Sequence, residues 1–359
     1  INMLRVGILT SGGDCQGLNA AIRGVAKALY EAFDEMEIYG FIDGYKGLIG
    51  GDYRRMKPED FSGILTRGGT VLGTSRQPFK LMRVVGEDGV DKVAAMKKTV
   101  ASLKLDCLVI LGGNGTHKTA NLLREEGVPV ITLPKTIDND LWGTDVTFGF
   151  QSAVDVAANV IDYIHSTATS HGRVFIVEIM GHKVGWLTLH AGIAAGADIV
   201  LLPEIPYDIR KVGAAVQRRR KQGKSFSILA VAEGALSREE AGLSKKALAA
   251  ARAAESYPSI AYRLAEELEP YVGAETRVCV PGHFQRGGPP CPYDRMLATM
   301  LGAAAARLIR EKHFGCMCAM INNEIVPVPL EEVAGKLKKV PPACTAVQMA
   351  REIGMTFGD

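Results

Sequence analysis

Short apolar runs rich in β-branched residues recur along the chain, each ending in a glycine-containing or polar turn. Residues 4–10 (LRVGILT) run into SGGD and then LNAAIRGVAKALYEAF; residues 105–111 (LDCLVIL) run into GGNG and then THKTANLLREE; residues 128–133 (VPVITL) run into PKTIDND. Strand, loop and helix in alternation predict a parallel sheet with helices on both faces. A second set, with strands RVFIVEI (173–179), ADIVLLPE (197–204) and FSILAVAEG (226–234) around helical patterns, predicts a second, smaller α/β lobe. An alanine-rich stretch from 236 to 268 predicts helix, TRVCVPGHFQRGG a strand and loop, and YDRMLATMLGAAAARLIREK another helix. Beyond about residue 315 the patterning weakens, and PVPLEEVAGKL and VPPACTAVQMAREIGM predict short helices between prolines.

Composition narrows the class without naming a reaction. With 359 residues, 47% of them hydrophobic, the chain can bury one large core or two. A net charge of only +3 supplies no global field for nucleic acid or anionic membrane, so neither is expected as a partner. No apolar run reaches the length of a membrane helix, and INMLRVGILT enters a strand-like segment at once, so a cytoplasmic protein is expected. Ile1 and Asn2, ahead of Met3, are set aside. Seven cysteines without CxxC spacing predict reduced thiols, and C-M-C at 316–318 is read as packing.

Candidate chemistry gathers at the glycine turns. In open parallel sheets, ligands lie beyond the carboxyl ends of the strands, where helix N-termini present free N–H groups to anions. Ser11-Gly12-Gly13-Asp14 and Gly112-Gly113-Asn114-Gly115-Thr116 occupy that position, and glycine there lets backbone amides approach a phosphate. Standard nucleotide signatures fail. GGNGTHKT lacks the third glycine of G-x-G-x-x-G, and QGKS at 222–225 has Arg218 where a P-loop needs glycine. The basic run RRRKQGK is read as a solvated helix end, and Arg23 with Lys27 as a basic helix face. LPKTIDND (133–140) crowds Lys135, Asp138 and Asp140 beside an apolar strand; in isolation D-N-D is an ordinary turn.

TSGGDCQGLNAAIRG, GGTVLGTSR, LGGNGT, PKTIDND, WGTDVTFGFQSA, SHGRVFIVEIMGH, GWLTL, VAEG and ETRVCVPGHFQRGG, in that order, resemble the phosphofructokinases, from about residue 4 to residue 310. The resemblance implies a two-lobed α/β fold of doubly wound, mainly parallel sheets with helices on both faces. Residues 1–149 plus 282–314 would form the larger, donor-binding lobe and 150–281 the sugar-phosphate lobe, with 315–359 a tail packing on the body. It implies transfer of the terminal phosphoryl group of ATP to the 1-hydroxyl of fructose 6-phosphate, a glycolytic step giving fructose 1,6-bisphosphate. Asp138 would take the hydroxyl proton, a role suited to a carboxylate that accepts the hydroxyl hydrogen bond.

By the same resemblance, Lys135 and Arg76 would stabilise the transferring phosphate. Gly13, Arg76, Gly113, Asn114, Gly115 and Thr116 would bind the donor, with Asp140 and Asn114 near magnesium (Mg2+). Thr136, Ile137, Arg173, Met180, Gly181, His182, Glu233, Arg277, His283 and Arg286 would bind the sugar phosphate; arginine suits this because its planar fork matches phosphate oxygens. Arg173 and Arg277 would come from a neighbouring subunit, which implies a homo-oligomer, dimer or tetramer.

The chain departs from the ATP-dependent family pattern at three positions. Asn114 stands in place of an aspartate near the metal, His182 in place of an arginine in M-G-R, and Lys135 in place of a glycine. A lysine at 135 is typical of pyrophosphate-using relatives and of some long-chain ATP-using ones. Gly115 favours ATP, because pyrophosphate-dependent members carry an aspartate there whose charge obstructs the α-phosphate of a nucleotide. Pyrophosphate remains the alternative donor. Two rivals stand beside the sugar kinase: a lipid or NAD kinase, which would explain LGGNGT alone, and a non-catalytic sugar-phosphate sensor, motivated by Asn114.

Overall fold

A computed structural model describes residues 3–359; Ile1 and Asn2 lie outside the described residues. Its strands are β1 (Leu4–Thr10), β2 (Met36–Phe41), β3 (Tyr53–Met56), β4 (Cys107–Gly112), β5 (Val130–Thr136), β6 (Phe148–Gly149), β7 (Val174–Ile179), β8 (Ile199–Leu201), β9 (Ser227–Ala232), β10 (Thr276–Cys279), β11 (Cys316–Ile321) and β12 (Glu324–Pro329). The helices are α1 (Leu18–Ala32), α2 (Tyr45–Gly50), α3 (Lys92–Ser102), α4 (Asn114–Glu125), α5 (Phe150–His171), α6 (Trp186–Ala194), α7 (Ile209–Lys221), α8 (Arg238–Ala241), α9 (Lys245–Ala254), α10 (Ile260–Val272), α11 (Pro292–Arg310), α12 (Leu330–Val333) and α13 (Thr345–Glu352). Two units divide the chain: one runs to Ser152 and resumes over Arg286–Lys338, the other comprises Ala153–Gln285 and Lys339–Asp359.

The first unit is built on an eight-stranded sheet in the order β12-β11-β5-β4-β1-β2-β3, with β6 pairing β5. The central neighbours β1, β4 and β5 run parallel. Every residue of β4 and β5 is buried, as a strand covered on both faces requires. Two edges escape the sequence reading: β2 with antiparallel β3, and the antiparallel hairpin β11–β12. Residues 327–329, expected to start a short helix, belong to strand β12; only Leu330–Val333 is helical. The hairpin turns at Asn322 and Asn323, both left-handed with φ of 51° and 65°, the conformation a two-residue hairpin needs.

Helices α1 and α11 approach closely enough that glycine is required. A Cβ on Gly24 would lie 2.6 Å from the Thr299 carbonyl oxygen, and one on Gly302 2.6 Å from that of Ala21. α1 follows the Gly12-Gly13 turn and α11 follows the G-H-F-Q-R-G-G loop, so this packing fixes both loops. Gln16 Nε2 donates to the Gly287 carbonyl at 2.8 Å, completing the tie.

The second unit carries the all-parallel sheet β10-β7-β9-β8. The alanine-rich stretch read as continuous helix is three helices, α8, α9 and α10, separated where Ser237, Ser244 and Ser259 take the N-cap positions. A buried ion-pair network joins all three to one another and to Tyr207. Arg263 donates to both Glu240 oxygens, at 2.6 and 2.9 Å, to Glu255 at 2.8 Å and to the Tyr207 hydroxyl at 2.8 Å. Burial pushes the Glu240 carboxyl up, but the Arg263 hydrogen bonds and Arg252 outweigh it and hold it at about 2. Among the described residues no helix is long and apolar enough to cross a membrane, and all seven cysteines are free.

Candidate active site

In the first unit the two glycine turns meet at the carboxyl ends of β1 and β4. Ser11 donates its amide to the Leu111 carbonyl at 2.9 Å, linking the turns. Gly12, left-handed at φ 83°, donates to the Ser75 carbonyl at 3.2 Å and accepts from Thr74 Oγ1 at 2.6 Å. Those bonds bring Arg76, exposed and without a polar partner among the described residues, next to the Gly12-Gly13 turn. Arg286 also lies here: a Cβ on Gly13 would sit 2.7 Å from Arg286 Nη1.

Gly113 takes the N-cap position of α4, and no side chain caps it. The first amides of a twelve-residue helix are thereby left facing outward with the positive dipole end behind them. A Cβ on Gly115 would meet nothing within 4 Å, so the space beside this turn is open. Thr116 is buried, its carbonyl accepting from the Tyr45 hydroxyl at 2.8 Å. His117 is fully buried, its Nδ1 2.8 Å from the Gly113 carbonyl, and burial lowers it to about 4, which favours the neutral ring.

Strand β5 delivers the third part. Lys135 is buried, and its ammonium donates to the Gly13 carbonyl, bridging β5 to the first turn. Burial lowers its pKa, with Asp138 and Asp14 opposing and Arg286 reinforcing the drop. Thr136 Oγ1 accepts the Asp138 amide at 3.0 Å, which turns the chain out of the sheet after Ile137. Asn139 then takes a left-handed φ of 54°, leaving Asp138 partly exposed while Asn139 and Asp140 are buried. Asn114 Nδ2 donates to the Asp140 carbonyl at 3.3 Å, joining the second turn to this loop.

The sequence reading missed Lys338. Its ammonium reaches Asn139 Oδ1 at 3.2 Å and the carbonyls of Thr144 and Asp145 at 2.9 and 3.0 Å, while its amide donates to the Asp140 carbonyl at 2.9 Å. Burial lowers it to about 8, with Asp145 and Asp140 opposing.

The second unit holds most of the remaining candidates, at two levels of its sheet. Glu233, just past β9, accepts at Oε1 from the amides of Gly181 at 3.0 Å and His182 at 2.6 Å. The Met180 amide donates to Oε1 of fully buried Gln285, a second residue the reading missed although it lies inside G-H-F-Q-R-G-G. His182 is exposed and left-handed, with φ 54°, and His283 is exposed on the short 3-10 turn Gly282–Arg286. Arg173 and Arg277 lie at the other end. Arg173 precedes β7, Arg277 pairs with Phe175, and both ion-pair with Glu275, Arg173 Nε at 2.6 Å. Met180 and Arg173 bracket β7, about 20 Å apart at the usual strand rise.

The arrangement provides backbone amides and cations for a polyphosphate, and two carboxylates on one loop. Among the described residues no group of three or more His, Cys, Asp or Glu side chains could hold a metal unaided. One carboxylate with an amide oxygen nevertheless suits magnesium, which typically uses one or two carboxylates plus the phosphates of its substrate.

A sequence profile of the family described as Phosphofructokinase matches residues 5–309. A relative from Spirochaeta thermophila called ATP-dependent 6-phosphofructokinase is 56% identical over 98% of this chain and 97% of its own. One of the same name from Propionibacterium freudenreichii is 48% identical over 99% of this chain and all of its own. Among solved structures, Pichia pastoris phosphofructokinase in the T-state superposes with a TM-score of 0.79 at 32% identity, covering 93% of this chain; the chain spans 35% of that one. A pyrophosphate-dependent phosphofructokinase from Nitrosospira multiformis, 20% identical, covers 97% of this chain and 90% of its own, and shares the fold with a TM-score of 0.81. With the profile covering most of its length and both bacterial relatives matching nearly all of it, this chain belongs to the phosphofructokinase family.

Proposed function

We propose that the chain transfers the terminal phosphoryl group of ATP to the 1-hydroxyl of fructose 6-phosphate, giving ADP and fructose 1,6-bisphosphate. The observation that carries this reading is the meeting of two glycine turns, the Lys135 ammonium and the Asp138-Asn139-Asp140 loop at the ends of three adjacent parallel strands. The name shared by the bacterial relatives supports the donor and acceptor.

Amides of Gly13 and of Gly113 to Thr116 hold the donor phosphates, with Arg76 and Arg286 beside the first turn. Asp138 accepts a hydrogen bond from the 1-hydroxyl, orients its oxygen toward the phosphorus and takes the proton as the new P–O bond forms. Lys135, with one proton committed to Gly13, donates its others to phosphate oxygens as the leaving group gains charge. Asp140 and Asn114 would hold magnesium, which supplies compensation for the negative charge shared by the donor phosphates. The open space at Gly115 supports ATP over pyrophosphate, since it leaves room for an α-phosphate that an aspartate would repel.

Met180, Gly181, His182, Glu233 and His283, and from the first unit Thr136 and Ile137, are assigned to the sugar phosphate by the family resemblance. Glu233 and the Gly181 amide are already locked together, so the sugar meets a preformed turn. Arg173 and Arg277 are assigned to the phosphate of a sugar held by a neighbouring copy. The length of β7 supports this assignment, because Arg173 lies about 20 Å from Met180 of its own chain. The enzyme is then a homo-oligomer acting in the cytoplasm. A coupled assay with fructose 6-phosphate, magnesium and either ATP or pyrophosphate tests the reading. Turnover with ATP supports it; turnover with pyrophosphate alone overturns the donor, and none with either overturns the kinase.

A further inference from the structure

Lys338 has no counterpart in the chemistry assigned above, yet its surroundings are specific. An ammonium has three donors. Here all three meet acceptors on the segment that follows the catalytic carboxylate: Asn139 Oδ1 at 3.2 Å and the carbonyls of Thr144 and Asp145 at 2.9 and 3.0 Å. Its backbone adds a fourth tie through the Asp140 carbonyl at 2.9 Å, and Leu337 pairs with Leu141 as an isolated antiparallel bridge.

Asn139 is the pivot of that segment. A left-handed φ at a non-glycine residue costs free energy unless local bonds support it, and asparagine is among the residues that tolerate it. Its Oδ1 accepts the Thr147 amide at 3.1 Å as well as the lysine, while Thr147 Oγ1 returns to the Thr136 carbonyl at 2.7 Å. The segment 136–147 is thus closed from one side by Thr147 and from the other by Lys338. Asp138 and Asp140 flank the pivot, so rotation of the Asn139 backbone would swing both carboxylates.

We infer that Lys338 is a positioning residue for phosphoryl transfer: by binding Asn139 and the Thr144 and Asp145 carbonyls together, it fixes the left-handed turn that aims Asp138 and Asp140. It touches no reacting atom. The inference rests on the phosphofructokinase reading for its kinetic arm, and stands on the loop geometry for its structural arm.

The test compares wild type with Lys338→Met, Asn139→Ala and the double variant in the full chain. Lys338→Met should lower kcat about ten- to a hundred-fold, as loss of alignment does, with the fructose 6-phosphate KM within about two-fold. Since the lysine acts through Asn139, the double variant should lose little more than the worse single one. Hydrogen exchange of residues 138–147 should be faster in Lys338→Met than in wild type. Wild-type kcat in Lys338→Met, losses that multiply in the double variant, or unchanged exchange over 138–147 would each overturn the inference. If Lys338→Met does not fold, Lys338→Gln, which retains N–H donors, takes its place in the same comparisons. A wild-type protein without turnover sinks the kinase reading instead, and the exchange measurement still decides whether the lysine pins the loop.

Discussion

The Asp138 loop, proposed to act on the acceptor hydroxyl, and the Arg173–Arg277 edge, proposed to bind a sugar phosphate, are held in opposite ways. The loop is buried except at Asp138, which is partly exposed; its pivot Asn139 is held by Thr147 and Lys338, and the flanking Asp138 and Asp140 backbones by Thr136 and Asn114. The arginines are partly open, sharing only Glu275, a residue itself about half exposed. Exposed ion pairs contribute little to stability and exchange partners readily. A reacting carboxylate must be aimed before substrate arrives, because misalignment raises the barrier directly. An arginine proposed to bind phosphate needs only to be available, and a half-exposed ion pair with Glu275 leaves it so.

Perturbing the loop should therefore appear in kcat, and perturbing the edge in KM. The largest effect short of removing the base is expected from Lys135→Met, which deletes a buried ammonium proposed to donate to the transferring phosphate. Its kcat should fall about a hundred- to a thousand-fold with the sugar KM little changed, as for other preorganised donors to a charged transition state. A rise in KM alone would place Lys135 in ground-state binding. Arg277→Ala should do the reverse, raising the fructose 6-phosphate KM about ten- to a hundred-fold through loss of a charged hydrogen bond. Steady-state kinetics with kcat reduced and KM intact would break the contrast.

Donor choice should shift by less. Gly115→Asp puts a carboxylate into space that is now open, and should lower kcat/KM for ATP relative to pyrophosphate about ten-fold. An unchanged ratio would show that this position does not face the α-phosphate. The smallest effect concerns the second unit's framework alone. Glu240 ionises at about 2 in the folded chain against 4.5 ordinarily, so its contribution is complete above pH 4.5 and disappears as pH falls toward 2. Thermal melts from pH 5 to 2 should show a shallower decline in Glu240→Gln than in wild type; parallel declines would assign the acid sensitivity to other groups.

What the sequence disclosed follows from how local each feature is. Strands β4 and β5 are legible because burial on both faces makes them continuous apolar runs. The β11–β12 hairpin is not, because the patterning there is weak and the prolines of β12 read as the start of a short helix. Pro327 and Pro329 are tolerated because β12 is an edge strand, and Asn322-Asn323 was the turn signal overlooked. In the site, the glycine turns and D-N-D are contiguous motifs and could be found by reading. Lys338 is 199 residues from the asparagine it binds, and nothing in its own neighbourhood marks it. Arg286 was read into the sugar-phosphate cradle by its motif; its guanidinium lies over Gly13, a contact set by the packing of α1 on α11 that no local pattern encodes.

The most direct test of the central claim pairs two measurements on Asp138→Ala: fructose 6-phosphate binding at equilibrium, and phosphoryl transfer from ATP. The account predicts binding within about three-fold of wild type, with transfer lowered about a hundred- to ten-thousand-fold, the range typical of a lost general base. A variant that transfers phosphate as fast as wild type would contradict it.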